Sequence, residues 1–329
     1  MASEIPLIPE VPQALREAAQ VGKLIPFVGA GVSRLAGCPD WDGFADAALN
    51  VFVEQGKFNH AQLDQIKHLG PRIKLSMALS LQERFGIQID FRNLLHQGPL
   101  VEHVAGQRLY SDLAKIGKTF VTTNYDEWLD EQFFYGPTGM SAEETPSASP
   151  APAPRTVYHR PEELTVANLN QENVVIHLHG SVKNPGGMVM TTPDYVHHYA
   201  TERGVGGSNE GNYVLNFLAH LFTHKTVLFV GYGLDELEIL EYVILKARTT
   251  KGVETRHFLL QGFFSHEREL MISLRTYYRE CGIHLIPFLK DDEGWDQLAH
   301  VLESFGQSVP ASSTAVLQEF KEMGALLDG

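Results

Sequence analysis

Leu24-Ile25-Pro26-Phe27-Val28-Gly29-Ala30-Gly31-Val32-Ser33-Arg34 decides the fold. Its apolar residues make a short buried strand, and the glycines then turn the chain into a helix, the strand–turn–helix unit from which open α/β sheets are built. Backbone N–H groups at that helix start can face a pyrophosphate, and glycine admits an approach that a side chain would block. A tight turn needs the same glycines, so the stretch alone leaves both uses open. Hydride-transfer enzymes ask for a third glycine where Arg34 stands and for an acid about 20 residues on, ending a second strand. Neither is found, which disfavours an ordinary dehydrogenase.

Upstream, Val11 to Gly22 reads as a helix with Pro12 near its first turn. Downstream, residues 41–115 carry apolar residues at three- and four-residue spacing and predict a helical insertion subdomain between the first two strands. Thr119 to Thr123, Asn173 to Leu178, Thr226 to Val230, His257 to Leu260 and His284 to Pro287 are strand-like, being β-branched and apolar. Helical patterns occupy 234–248, 266–280 and 294–305; Asp126 to Phe134 can start another helix, and 315–327 can form a terminal one. Residues 136–156, rich in Pro, Ser and Ala, hold too little apolar bulk to pack and are expected to be a flexible surface insertion. Strands alternating with helices predict α/β architecture: a Rossmann-like, doubly wound parallel sheet, one domain over residues 1–329.

A chain of 329 residues with 43% hydrophobic residues can bury a sizeable core. Its formal net charge of −14 repels a phosphate backbone, so neither nucleic acid nor an anionic membrane is an expected partner, and an anionic ligand must be held locally. Met1 to Glu10 lacks the basic start and apolar stretch of a secretory signal, and no run of about 18 apolar residues is present to span a bilayer. Two distant cysteines, Cys38 and Cys281, make no disulfide framework and no Cys-x-x-Cys pair, which fits a reducing cytoplasm.

Three further motifs end strands. Thr123-Asn124-Tyr125-Asp126 places an amide and a carboxylate at the carboxyl edge of the sheet, where ligands bind in open α/β folds. Asn124 can donate and accept, so it can orient a water or a ribose hydroxyl, whereas Asp126 serves equally as a helix cap or a ligand contact. Ile176-His177-Leu178-His179-Gly180 delivers a histidine that can act as a base. His177 and His179 fall on one face of a regular strand, but no third ligand is identifiable, so no metal is expected and His177 is read as an interior histidine with a hydrogen-bond partner. Gly231-Tyr232-Gly233 allows close approach to an adenosine ribose, or a plain turn.

Taken in order, Gly29-Ala30-Gly31-Val32-Ser33, Pro39-Asp40-Trp41, Thr123-Asn124-Tyr125-Asp126, His179-Gly180 and Gly231-Tyr232-Gly233 resemble the motif series of the sirtuin, or SIR2-like, family over Leu24 to Leu289. The resemblance implies a sirtuin-like fold and NAD as substrate. Gly29, Ala30, Gly31, Ser33 and Arg34 would lie near its phosphates or ribose, Asp40 near the loop that closes over it, and Gly231 and Gly233 near the adenosine side. Asn124 and Asp126 would match the nicotinamide and ribose contacts, and His179 the catalytic base. Deacylating members usually carry a zinc ribbon held by two Cys-x-x-Cys pairs, which this chain's two cysteines cannot build. The Thr-Asn-Tyr-Asp wording and the helical insertion look most like prokaryotic NAD-degrading members, antiviral defence effectors often encoded beside a HerA-type ATPase or an Argonaute. The expected activity is NAD hydrolysis to nicotinamide and ADP-ribose, regulated through a homo-oligomer or such a partner. The alternatives are an NAD-dependent deacylase, an ADP-ribosyltransferase, or a non-catalytic NAD or ADP-ribose scaffold.

Overall fold

Strand β1 (Leu24–Val28) is buried along its whole length, as its uninterrupted apolar run requires, and it lies in the middle of the sheet. The computed structural model describes residues 5–96, 98, 100–133, 153–199, 212–233, 241, 244–245 and 257–310. Its other strands are β2 (Thr119–Thr122), β3 (Glu131–Gln132), β4 (Ala153–Pro154), β5 (Thr156–Tyr158), β6 (Val174–His177), β7 (Thr226–Val230), β8 (His257–Phe263) and β9 (Ile283–Leu289). Seven of them form a sheet ordered β5-β6-β2-β1-β7-β8-β9, parallel at every pairing. Without the edge strand β5 this is the doubly wound order, with the chain reversing direction of travel between β1 and β7. The fold is therefore α/β and Rossmann-like.

Alternation along the strands feeds two cores. Leu24, Val28, Phe120, Val175, Leu228 and Val230 join one face, against α1 (Gln13–Gln20), α7 (Val104–Ile116) and α12 (Gln297–Ser308). Ile25, Phe27, Val121, Ile176, Val227 and Phe229 join the other, against α8 (Val166–Leu169), α10 (Tyr213–His224) and α11 (Arg268–Glu280). The remaining helices are α2 (Ala30–Leu35), α3 (Trp41–Glu54), α4 (His60–Ile66), α5 (Pro71–Phe85), α6 (Phe91–Leu95) and α9 (Thr192–Tyr199).

Of these, α3, α5 and α6 share a third core built on Phe44, Leu49, Phe52, Leu75 and Phe91. It also takes in Tyr125, Val182, Met188 and Met190, which stand just beyond the carboxyl ends of β2 and β6, so this helical layer is anchored on the sheet's rim. Residues 41–115 thus split between two packing units, because α7 belongs to the face of the sheet.

One sequence expectation needs correction, and one helix falls outside the expectations. The segment expected to start a helix at Asp126 forms no α-helix over its described residues, 126–133: a single 3₁₀ turn, Trp128–Asp130, gives way to β3, which pairs antiparallel with β4. Trp128 stacks on Tyr110 with centroids 5.3 Å apart, and Arg155 Nη1 donates to the carbonyls of Leu129 and Glu131 at 2.8 Å, so tertiary partners take the groups a helix would use. Tyr213–His224, where no element is expected, is α10, burying Val214, Phe217, Leu218, Leu221 and Phe222 at helical spacing. Of the expected helices, 315–327 lies outside the described residues, as does nearly all of 234–248. The expected flexible insertion is undescribed up to residue 152, and its last residues enter β4.

Candidate active site

Register levels the strand ends. Val28 lies opposite Val230 on one side and Thr122 on the other, and Thr122 lies opposite His177, so four strands stop in one row. With neighbouring strands about 4.8 Å apart, the segments that follow emerge side by side on one rim. Asn124 and His179 each stand two residues beyond this row, on adjacent strands.

Both line one cavity of about 200 Å³, together with Ala30, Ser33, Asp40 and Asp126 from the expected site. A second cavity of about 420 Å³ adjoins it through shared walls at Ala30, Asp40, Trp41 and Tyr232, and is lined by Gly31, Arg34, Gly231 and Gly233. Together they form a two-lobed cleft over the β1–β7 reversal, in the range of about 300–1,000 Å³ that ligand pockets occupy. Of the expected residues, only Gly29 lines neither lobe.

Asn124 is held from all sides. Its backbone N–H donates to Thr122 Oγ1 at 3.0 Å, and its backbone carbonyl accepts from His177 Nδ1 at 2.8 Å. Its amide nitrogen donates to the Gly29 carbonyl at 3.0 Å and to Ser33 Oγ at 2.7 Å. A carbonyl only accepts, so that side-chain atom must be the nitrogen, and Oδ1 is left as the group that can serve a ligand. The Ser33 hydroxyl in turn donates a hydrogen bond to Asp126 Oδ2 at 2.5 Å, and Asp126 Oδ1 accepts from the Trp128 N–H at 3.1 Å. Asp126 is therefore a turn cap and a network member at once, buried with Ser33 beside the cavity.

The glycines turn out to serve packing as much as access. A Cβ on Gly29 would stand 2.7 Å from the Gly231 carbonyl oxygen, and one on Gly31 would stand 2.8 Å from the same atom. Gly231 has φ +71°, and a Cβ there would meet the Val32 nitrogen at 2.6 Å. The β1 and β7 turns thus fit directly against each other. Gly233 has open space around its Cβ position.

His179 is buried, with Nε2 2.7 Å from the Tyr199 hydroxyl and its ring edge-on to Tyr195 and His198. Burial, with help from His198 and Arg72, lowers its pKa to about 3, so the imidazole is neutral. Arg72, on α5, lays its guanidinium over the Tyr195 ring at 3.9 Å and lines the same cavity. Asp40 caps α3 through Gly43 N–H at 2.8 Å and faces Arg34 at 3.8 Å, both side chains half-exposed. Arg34 and Arg72 are the cations available to an anionic ligand in the two lobes.

Residues outside the motifs complete the walls: Trp41, Phe44, Arg72 and Leu95 from the helical layer, Tyr195 from α9, and the buried thiol of Cys38. Helical spacing marks Phe44 as apolar-face material, but nothing local says which cavity a helix will cover. Among the described residues no group of three or more His, Cys, Asp or Glu could hold a metal, and no helix is long and apolar enough to cross a membrane.

Comparison with known proteins agrees with the motif order. Defense-associated sirtuin 2 of Bacillus subtilis is 24% identical over 288 residues, which is 83% of this chain. The chain spans about a quarter of that relative's length, 24%. The sequence pattern of the SIR2-like domain matches residues 118–286, from β2 to β9, just over half of the chain. On that match, which covers more than half of its length, the chain belongs to the SIR2-like domain family.

Proposed function

We propose that this protein hydrolyses NAD at the nicotinamide–ribose bond, as a regulated cytoplasmic effector of bacterial antiphage defence. The SIR2-like family uses NAD as a substrate, and the relative's name ties such a domain to defence. The observation that carries the reading is the shared cavity: Asn124, whose side chain keeps Oδ1 free of the bonds that hold its amide nitrogen, lines one lobe together with a neutral histidine.

Nicotinamide leaves a cationic ring as a neutral molecule, so no general acid is needed and the transition state is oxocarbenium-like, as in glycoside cleavage. The protein must stabilise a sugar cation and aim a water. Asn124 Oδ1 accepts a hydrogen bond from that water, orienting its lone pair toward the sugar carbon. His179 is already in the unprotonated form that accepts the water's proton as the new C–O bond forms. Burial makes it a weak base in the free protein, and the anionic pyrophosphate of a bound dinucleotide raises its basicity. The buried carboxylate of Asp126 adds negative charge beside the developing cation. Gly31, Arg34, Gly231 and Gly233 line the other lobe, where the adenosine half and its phosphates would sit.

Unregulated NAD hydrolysis harms its own cell, so control by self-association or by a partner, such as a HerA-type ATPase or an Argonaute, forms part of the proposal. Incubation of the purified protein with NAD, alone and with candidate partners, followed by chromatography, should show nicotinamide and ADP-ribose. His179→Ala should lower nicotinamide release by about 10²- to 10⁴-fold. Undiminished release in that variant and in Asn124→Ala would remove both residues from the mechanism.

A further inference from the structure

The two histidines of Ile176-His177-Leu178-His179-Gly180 sit in opposite surroundings. His177 is fully buried, with Nδ1 2.8 Å from the Asn124 carbonyl and Nε2 2.8 Å from Asp130 Oδ1. A peptide carbonyl can only accept, so Nδ1 carries hydrogen. Asp130 is ionised, because Lys183 Nζ stands 2.6 Å from its other oxygen, and a carboxylate also only accepts, so Nε2 carries hydrogen as well. A ring with hydrogen on both nitrogens is an imidazolium.

Its position links three segments of the rim: Asn124 after β2, the 3₁₀ turn holding Asp130, and Lys183 in the loop after β6. The charged groups around it are Asp130 and Asp126 from the segment after β2, Lys183 from the loop after β6, and Arg155 between β4 and β5. Asn124 already spends its N–H and its amide nitrogen on Thr122, Gly29 and Ser33, so the bond from His177 fixes the last backbone group of that residue. We infer that His177 is the positioning residue of this site, a buried imidazolium that holds the Asn124 peptide, and through it Oδ1, in the orientation the reaction uses. This rests on the NAD reading above. His179, two residues on, touches Tyr199, Tyr195 and His198 but no carboxylate, and is neutral. One strand end thus supplies a charged clamp and an uncharged base.

Two measurements test it. Histidine ring ¹⁵N signals of the wild-type protein, assigned through backbone connectivity at about pH 7.5, should show His177 with hydrogen on both nitrogens and His179 with one bare nitrogen. Nicotinamide release should show kcat falling on the alkaline side as His177 loses its proton. Asp130→Asn, which removes the counter-charge, should move that fall to lower pH and reduce kcat about tenfold at about pH 8, with KM within about twofold. A single bare nitrogen on His177 at about pH 7.5, or an alkaline limb that does not move in Asp130→Asn, overturns the inference. Should Asp130→Asn not fold, the wild-type titration decides alone. Absence of nicotinamide release from the wild type, alone and with the candidate partners, sinks the NAD reading, and the ring titration still reports the charge on His177.

Discussion

Residue charge at this rim has opposite pH consequences in neighbouring groups. His179 and His198 are held neutral, with pKa values lowered to about 3 and about 4, burial being the first cause in each. Unfolded histidine titrates near 6.5, so below that pH the unfolded chain binds protons the folded one refuses, and stability falls as pH drops toward the folded values. His177 runs the other way. Burial opposes its charge but Asp130 more than offsets it, so its pKa is raised, and its contribution is full below about 6.5 and lost as pH rises through the folded value. Asp130, with its carboxyl held low against burial by His177 and Lys183, contributes above about 3.9 and loses that contribution as pH falls through its folded value. His179→Gln should therefore flatten the fall of Tm between about pH 6.5 and 4 that the wild type shows, read by thermal unfolding across buffers. Identical slopes would assign the acid sensitivity elsewhere. In the wild type, kcat/KM for nicotinamide release should show no acid limb near the ordinary histidine value of about 6.5, since the free enzyme's His179 is already unprotonated there. A limb at that pH would mean that the base is some other group.

At the scale of elements, the strands were readable where they are central and the turns were only half readable. Thr226–Val230 and Leu24–Val28 match their apolar runs residue for residue, because strands buried on both faces have no polar positions to blur their ends. The β8 strand extends to Phe263 beyond its predicted end at Leu260, because Gln261 and Gly262 are polar or small and hide a pairing with β9 that continues to Leu289. Gly29 and Gly31 were readable as a turn, but their partner was not. Gly231 is about 200 residues away in the chain and meets them only through β-sheet order, which local pattern does not encode. Gly31→Ala should therefore cost stability, about 1–3 kcal/mol by denaturant unfolding, because the three opposing atoms all belong to the Gly231 backbone and cannot swing aside. Gly233→Ala, with nothing near its Cβ position, should leave unfolding within about 0.5 kcal/mol of the wild type. Equal losses in the two would show that the glycines act through backbone freedom rather than through the fit of the turns.

The whole molecule sets a third core on the rim of a two-faced sheet, and the cleft is the seam between them. Its floor comes from strand ends, which is why Asn124, His179 and the glycines could be named from sequence motifs. Its roof comes from Trp41, Phe44, Arg72 and Leu95, residues whose local pattern says only that helices carry them. Trp41 belongs to both, stacking on Tyr125 with centroids 5.5 Å apart and on Phe44 at 6.0 Å, while forming a wall of each lobe. Because it is only partly buried, it contributes less to the helical core than Phe44 or Phe52 do, and more to the shape of the cleft. Trp41→Ala should then act on substrate retention: KM for NAD rises about tenfold, the loss of one good apolar contact, with a smaller change in kcat and a Tm only a few degrees lower. Steady-state nicotinamide release with a parallel melting curve separates the outcomes. A collapse of kcat at unchanged KM would mean that the helical layer bears on the chemistry itself, through Tyr125 and the neighbouring Asn124, and not merely on holding the dinucleotide in the cleft.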